Sequence, residues 1–483
     1  MGKRVLGHLE PETIWHIFED ITSVPHPSNK EELLRQWAKI WAKEHDLPVK
    51  EDETGNLLIT GRAAAGCRGY PALVLQAHMD MVCQKRSDVE FDFERESLKI
   101  KVDGDYVVAE GTTLGADNGI GIALALAALK ERELKNGPLE ALLTVNEETG
   151  FTGAFGIKPG FFTGKYLLNL DSETLGEVTI GSAGGGDTKY TLPGSRMEHK
   201  GFTGIEITVD GLTSGHSGIH IHLPRLNAIK VAVSGVQQLP NFLIGCFESG
   251  TAVNVIPAHA RVVVLVPEKE IDDALNILQA WKTKTLTEAQ EKEPGITIII
   301  SKSSETNVYT EKQSKVLIAL LAEVPHGPLS FSRDIEGLVQ TSNNLAMVHS
   351  SDDFITVSLN SRSSITNELE KLRAKLKAIG ERYGITVSQD EGYPGWAANP
   401  ESEFVTLVKS TYEEVLEKEV VLSAVHAGLE CGLFVNLDPN IQVASIGPDI
   451  SSAHTPNEKV HIKSVGIIWD TLKKIIENMR ALR

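Results

Sequence analysis

Along the first 180 or so residues, short runs of Leu, Val and Ile alternate with segments in which apolar residues return every three to four positions. That alternation predicts largely parallel strands buried on both faces and joined by covering helices. Strands are predicted at 56–60, 72–76, 139–145 and 166–170, and helices at 11–45, broken near Pro25, and at 118–134. The pattern changes at Gly181-Ser-Ala-Gly-Gly-Gly186, a glycine-rich stretch that reads as a hinge or boundary. Beyond it, strand, helix and returning strand at 261–266, 269–292 and 295–300 are followed by the same order at 354–360, 367–383 and 384–388, which predicts a duplicated α+β region. The turn-rich Glu391-Gly-Tyr-Pro-Gly-Trp396 marks its exit, and a helix at 403–417, a strand at 442–447 and a closing helix at 464–479 follow. The expected organisation is a discontinuous α/β domain, 1–186 plus 389–483, with a largely parallel central sheet flanked by helices, and an inserted α+β domain at 187–388.

Charge narrows the partners. Lys and Arg number 47 against 65 Asp and Glu, a formal net charge of −18, and no basic stripe offsets it, so a polyanion such as nucleic acid would be repelled. Hydrophobic residues at 41% and charged residues at 23% are those of a soluble globular protein. The longest apolar run, 119–129, is about half of the roughly 20 residues a membrane span requires, and no apolar segment near the N-terminus reads as a signal peptide. Cys67, Cys83, Cys246 and Cys431 lie far apart without a C-x-x-C pair, as free thiols of a reducing compartment would. A cytoplasmic protein acting on small ligands, with no membrane partner, is expected.

Five segments carry candidate chemistry. His78-Met-Asp80 places a histidine and an aspartate on one side of an extended chain, either a metal ligand with its orienting acid or a buried histidine bonded to a neighbour. Asp117, in Gly111-Thr-Thr-Leu-Gly-Ala-Asp117-Asn-Gly119, is a ligand or the cap of the helix it precedes. Glu147-Glu148 and Asp171 end apolar strands, and His454 lies in the loop after the predicted strand 442–447. Open α/β sheets bind ligands outside the carboxyl ends of their strands, and four of the five candidates follow predicted strands there. The set His78, Asp117, Glu148, Asp171 and His454 offers N and O donors and no cysteine, which suits zinc first, with manganese or cobalt accepted by the same donors. Five ligands exceed one catalytic zinc with an open position but fit two metals sharing a carboxylate, which leaves Glu147 free to take a proton. No H-E-x-x-H, G-x-S-x-G, phosphate loop or complete G-x-G-x-x-G is present, so metal-assisted hydrolysis is favoured.

In order and spacing, His78-Met-Asp80, Gly115-Ala-Asp117-Asn118, Glu147-Glu148, Asp171 and His454 resemble the M20 family of co-catalytic metallopeptidases, and Gly215-His-Ser-Gly218 and Ala424-Val-His-Ala-Gly-Leu-Glu-Cys-Gly-Leu-Phe434 extend the likeness over nearly the whole chain. The resemblance implies that His78 and Asp171 hold one metal, Glu148 and His454 the other, and Asp117 both. Asp80 would orient His78, Glu147 would be the general base toward a water shared by the metals, and the Asp117-Asn118 bond would be cis. It further implies that the inserted domain is a lid of duplicated ferredoxin-like form. There His216 would stabilise the oxyanion, Asn254 and Arg362 would hold substrate, with Arg362 on its terminal carboxylate, and Gly428 would approach the same carboxylate. The implied reaction is hydrolysis of Xaa-His and related dipeptides such as β-Ala-His. An N-acyl amino acid deacylase on the same scaffold and a non-catalytic metal-binding scaffold are the competing readings, and monomer and lid-to-lid homodimer are equally compatible. Cys83 stands where the family has a proline, and the loop around His454 varies; both bear on loop shape and leave every ligand in place.

Overall fold

Leu73–His78, Leu139–Thr144 and Tyr166–Asn169 are buried at every position, as strands inside a two-sided sheet must be. The computed structural model describes residues 4–333 and 335–482. It divides into one unit of Met1–Gly181, Ala398–Ala424 and Glu430–Arg483, and another of Ser182–Ala397 with Val425–Leu429.

The first unit is built on a mixed sheet ordered Val49–Glu51, Leu57–Gly61, Leu139–Thr144, Leu73–His78, Tyr166–Asn169, Gln442–Ser445, Glu177–Ser182 and Val421–Val425. The four strands from Leu139–Thr144 to Gln442–Ser445 run parallel, and Val49–Glu51 and Leu57–Gly61 add antiparallel pairs at one side. Gln442–Ser445 closes the parallel set beside Tyr166–Asn169, so the C-terminal segment completes this sheet. Helix Ala116–Lys130 is apolar around nearly its whole circumference because it lies between the sheet and helices Glu12–Thr22 and Ile462–Asn478. The helical pattern expected over 11–45 resolves into Glu12–Thr22 and Glu32–Glu44, separated at Val24-Pro-His-Pro27, where two prolines withhold backbone donors. A small second sheet, unforeseen in the sequence, joins Ile100–Asp103 and Tyr106–Ala109 to Lys459–His461 and Ile450–Ser451.

The second unit is a nine-stranded antiparallel sheet with helices packed through one apolar core. Its duplication is nested. One copy runs Phe202–Asp210, helix Ala228–Val236, Leu243–Ser249, Ala260–Pro267, helix Ile271–Ala289 and Thr297–Ser303. The other has Gly184–Pro193 as its first strand, then helix Glu311–Glu323, Val339–Ser350, Phe354–Ser363, helix Thr366–Arg382 and Thr386–Gln389. In each, the strands lie in the order fourth, first, third, second, and the two second strands pair at Ser249 and Val348 to join the copies. The first copy is inserted between the first strand and first helix of the other, so only the β-α-β tails repeat visibly along the chain.

Two expectations are corrected here. The glycine-rich stretch is no loose hinge, because Gly184–Pro193 is a ten-residue strand paired with Phe354–Ser363. A Cβ on Gly186 would fall 1.3 Å from Nη1 of Arg373, so any side chain there must displace that guanidinium, and the glycine is in close packing contact. The exit segment 391–396 belongs to this unit as well, since the backbone N–H groups of Ser182 and Gly185 donate to the carbonyls of Trp396 (2.9 Å) and Tyr393 (3.0 Å). All four cysteines are free, and no helix among the described residues is long and apolar enough to cross a membrane.

Candidate metal centre

Parallel strands end side by side, and their carboxyl ends gather the acids and histidines of the first unit. His78 is the last residue of Leu73–His78, Glu147 and Glu148 follow Leu139–Thr144, and Asp171 lies two residues beyond Tyr166–Asn169. His454 comes from the loop between Ile450–Ser451 and Lys459–His461. Asp117 stands at the start of Ala116–Lys130, where the chain is not yet helical (φ −82°, ψ 102°) and the Asp117–Asn118 peptide is cis.

The two carboxylate oxygens of Asp117 face different imidazoles. Oδ1 lies 3.0 Å from Nε2 of His78, and Oδ2 lies 3.0 Å from Nε2 of His454. Asp171 Oδ1 is 3.3 Å from the same His78 nitrogen, and Glu148 Oε1 is 2.9 Å from that of His454. Two donor groups therefore share one carboxylate. Metal–ligand bonds of about 2.0–2.2 Å at tetrahedral angles bring neighbouring donor atoms roughly 3.3 Å apart, close to these separations. Ligand atoms of His78, Asp117 and Glu148 lie within 4.8 Å of one another.

Electrostatics points the same way. Burial works to lower the basicity of His78, yet the facing Asp171 and Asp117 hold its pKa well above the ordinary value. Hydrogen bonds to Asp117 and Glu148 raise His454 to about 11. Three carboxylates converging on two imidazoles demand positive charge, which protons or divalent cations can supply. Burial, together with the charges of Asp171, Glu148 and Glu430, pushes the Glu147 carboxyl well up. The Glu147 side chain makes no hydrogen bond or ion pair among the described residues, whereas Glu148 is engaged with His454.

Neighbouring groups fix these side chains. The Asp80 carboxylate, 1% exposed, accepts from the backbone N–H of Glu147 (2.8 Å) and of Glu148 (3.2 Å) and from Ser28 Oγ (2.8 Å). Nδ1 of His78 donates to the main-chain carbonyl of Asp80 at 3.0 Å, nearer than that residue's carboxylate at 3.4 Å. Asn118 Nδ2 donates to Leu170 O (3.0 Å) and to Asp171 Oδ1, which aims the Asp171 carboxylate. Glu430, wholly buried, accepts from Gln76 Nε2 and Thr144 Oγ1, both at 2.7 Å, and burial raises its pKa to about 8. Sequence reasoning missed Asn118 and Glu430; acids and amides inside otherwise apolar segments were the signal available.

His216, Asn254, Arg362 and Gly428 belong to the second unit. His216 pairs with Val255, and Ser217 N–H donates to Asn254 O at 2.8 Å, which places His216 and Asn254 side by side. Nδ1 of His216 accepts from the N–H groups of Gly218 (3.1 Å) and Ile219 (3.2 Å), so the ring's proton sits on Nε2. Burial, reinforced by Arg362 and His220, lowers its pKa to about 4 and keeps the ring neutral. Arg362 is 6% exposed; Nη1 donates to Tyr393 Oη (3.1 Å), Nε has no partner, and the guanidinium forms no ion pair among the described residues. Gly428 follows Val421–Val425 in the short segment Val425–Leu429.

Comparison with known proteins places the chain in a family. The chain is 37% identical over 482 residues to the Escherichia coli (strain K12) cytosol non-specific dipeptidase, covering 99% of each chain. The crystal structure of aminoacylhistidine dipeptidase from Vibrio alginolyticus superposes with a TM-score of 0.90 at 37% identity, covering 98% of this chain and 97% of that one. Aminopeptidase PepT from Bacillus cereus, at 18% identity and a TM-score of 0.57, shares the fold over 98% of this chain and all of its own. Residues 74–478, from within the His78 strand to the last turn of the closing helix, match the model of peptidase family M20/M25/M40, and with the strand-end acids and histidines gathered around Asp117 the chain is a member of that family of hydrolases.

Proposed function

We propose that this chain is a metal-dependent dipeptidase acting on Xaa-His and related dipeptides, with two divalent cations at the cluster. The observation that carries the reading is the division of Asp117 between His78 and His454, each 3.0 Å from a separate oxygen. His78 and Asp171 would hold one cation, Glu148 and His454 the other, and Asp117 both; the cations would polarise the scissile carbonyl and acidify the attacking water. Zinc, manganese and cobalt all suit these N and O donors. Glu147, half-buried and without a side-chain partner among the described residues, would accept the proton of that water and pass it to the leaving amine. Asp80 holds the amides of Glu147 and Glu148 and so fixes where the base points.

The resemblance assigns the remaining roles to residues whose chemistry suits them. His216 is a neutral imidazole with its proton on Nε2, a fit donor to an oxyanion. Arg362 is a buried guanidinium lacking an acid, a fit partner for the terminal carboxylate of a dipeptide. Asn254 and Gly428 complete the substrate-holding set. The relatives named above differ in stated breadth, one non-specific and one for aminoacylhistidine, and a preference that includes histidine without requiring it accommodates both. A cytosolic setting accords with four free thiols and with the name of the Escherichia coli relative.

The test pairs metal analysis of the purified protein with hydrolysis of β-Ala-His, a dipeptide lacking histidine, and an N-acetylated amino acid. About two metals per chain and turnover of the dipeptides is the expected result. Turnover of the N-acetylated compound alone would reassign the enzyme to deacylation, and metal without any turnover would leave a binding scaffold.

A further inference from the structure

The turn that leads into helix Ala116–Lys130 leaves the N–H groups of residues 114–117 outside the helical ladder, and the Asp117 carboxylate, turned toward His78 and His454, does not accept from them. Glu458 does. Its Oε2 accepts from the N–H groups of Leu114 (2.7 Å) and Gly115 (3.1 Å), and its Oε1 from those of Ala116 (2.8 Å) and Asp117 (3.3 Å). Four consecutive amides converge on one carboxylate because Gly115, at φ 67° and ψ 28°, turns the chain through the left-handed region and makes an anion-binding concavity. At 3% exposure the carboxylate shares these donors with little water.

Glu458 also belongs to the loop that carries His454. Ile450 pairs with Val460 and Ser451 with Lys459, Glu458 N–H donates to Thr455 O at 3.1 Å, and Lys459–His461 is fixed in turn to Tyr106–Ala109. The segment from His454 to Glu458 is thus a closed turn at the end of a paired hairpin, and its last residue is bonded to the backbone of Asp117.

We infer that Glu458 is a positioning residue that sets His454 against Asp117 and so governs the cation site shared by Asp117, Glu148 and His454, without itself touching a cation. The inference rests on the two-cation reading proposed above. The other donor group draws His78 and Asp171 from the ends of central strands, which the loop does not hold, so loss of Glu458 affects the two sites unequally.

The experiment titrates cobalt(II) chloride into the chelator-stripped full-length protein and follows visible absorption. Glu458→Gln exchanges one acceptor oxygen for an amide NH₂, so two of the four backbone donors meet another donor. Wild type is expected to take two equivalents; the variant should take the first as wild type does and the second 10–100-fold more weakly, about the range seen when an outer support of a metal ligand is removed. Glu140→Gln is the matched control. Glu140, 5% exposed near the other end of its strand, accepts from Thr163 N–H, Thr163 Oγ1 and Gly164 N–H, so its loss should lower the melting temperature while leaving both cobalt equivalents intact. Two wild-type equivalents in a destabilised Glu458→Gln protein would make Glu458 merely structural and overturn the inference. Should that variant not fold, Glu458→Asp, which keeps the charge but falls short by one methylene, carries the same test, and failure of both to fold would also overturn it. A wild-type protein that takes no cobalt defeats the two-cation reading itself, and this inference with it.

Discussion

Arg362 offers a prediction in which stability and activity move in opposite directions. Its guanidinium is 6% exposed, donates one bond to Tyr393 Oη at 3.1 Å, and pairs with no carboxylate among the described residues. The acid that feels its charge, Asp187, is engaged by Asn360 Nδ2 at 2.7 Å. Burying an unpaired ion costs several kcal/mol after relaxation, and one hydrogen bond from a charged group returns about 1.5–3 kcal/mol. Arg362→Met keeps an unbranched chain and removes the charge, so the substrate-free protein should gain about 1–2 kcal/mol. The same change removes the partner of the substrate carboxylate. Losing one member of a buried charge pair costs about 2–5 kcal/mol, so kcat/KM for a free-carboxylate dipeptide should fall about 30-fold or more, chiefly through KM, while that of its C-terminal amide changes little. Urea unfolding without substrate, alongside kinetics on an Xaa-His dipeptide and its amide, reads both effects. A variant that unfolds earlier than wild type refutes the electrostatic argument, and equal losses on acid and amide refute the carboxylate role.

Further predictions concern the base, the packing of the second unit and its response to acid. Glu147→Gln should keep the wild-type metal content and lower kcat by about 10²–10⁴-fold; turnover within tenfold of wild type would remove Glu147 from proton transfer. Gly186→Ala should destabilise by about 1–3 kcal/mol, because the added methyl displaces Arg373, 4% exposed and bonded to Asp390 Oδ1 at 3.0 Å; an unchanged urea midpoint would restore the hinge reading. His326 accepts at Nδ1 from Asn227 Nδ2 (3.3 Å) and Leu345 N–H (3.4 Å), and burial, with Lys230 nearby, lowers its pKa to about 4. Its native form is neutral, so between pH 6.5 and about 4 the unfolded chain binds the proton first. Stability should therefore decline as pH falls through that window, by up to about 1.4 kcal/mol per pH unit, and flatten below it. His326→Gln should flatten the slope, and an unaltered pH dependence would show that other groups dominate.

Much of the candidate cluster was legible because metal chemistry, the use proposed for it, constrains residue type as well as position. The parallel strands were visible as short apolar runs buried on both faces, and an acid or histidine at the end of such a run has a restricted set of uses. His78, Glu148, Asp171 and His454 were selected on that ground and Asp117 from the loop that precedes a helix, and the structure brings all five together. Asp117 as a helix cap was an open alternative from the sequence. Its carboxylate turns to the two imidazoles, and an acid some 340 residues later accepts from the backbone N–H groups at this turn. Nothing local in the sequence pairs residues so distant.

What the sequence determined by itself was therefore local: periodicity fixed most strands and helices, net charge argued against a polyanionic partner, and donor types pointed to the chemistry proposed at the strand ends. Tertiary structure alone decided the rest. The nested duplication of the second unit arises from strand pairing between Gly184–Pro193 and Phe354–Ser363, which no local pattern encodes. The same holds for the small sheet that brings Lys459–His461 to Tyr106–Ala109 and delivers the His454 loop. Gly186 looked like freedom in the sequence and proved to be contact, because the space a side chain would need is filled by Arg373. The ionisation of His216, His326 and Glu430 likewise depends on burial and on neighbours supplied by distant segments, and these exist only once the chain has folded.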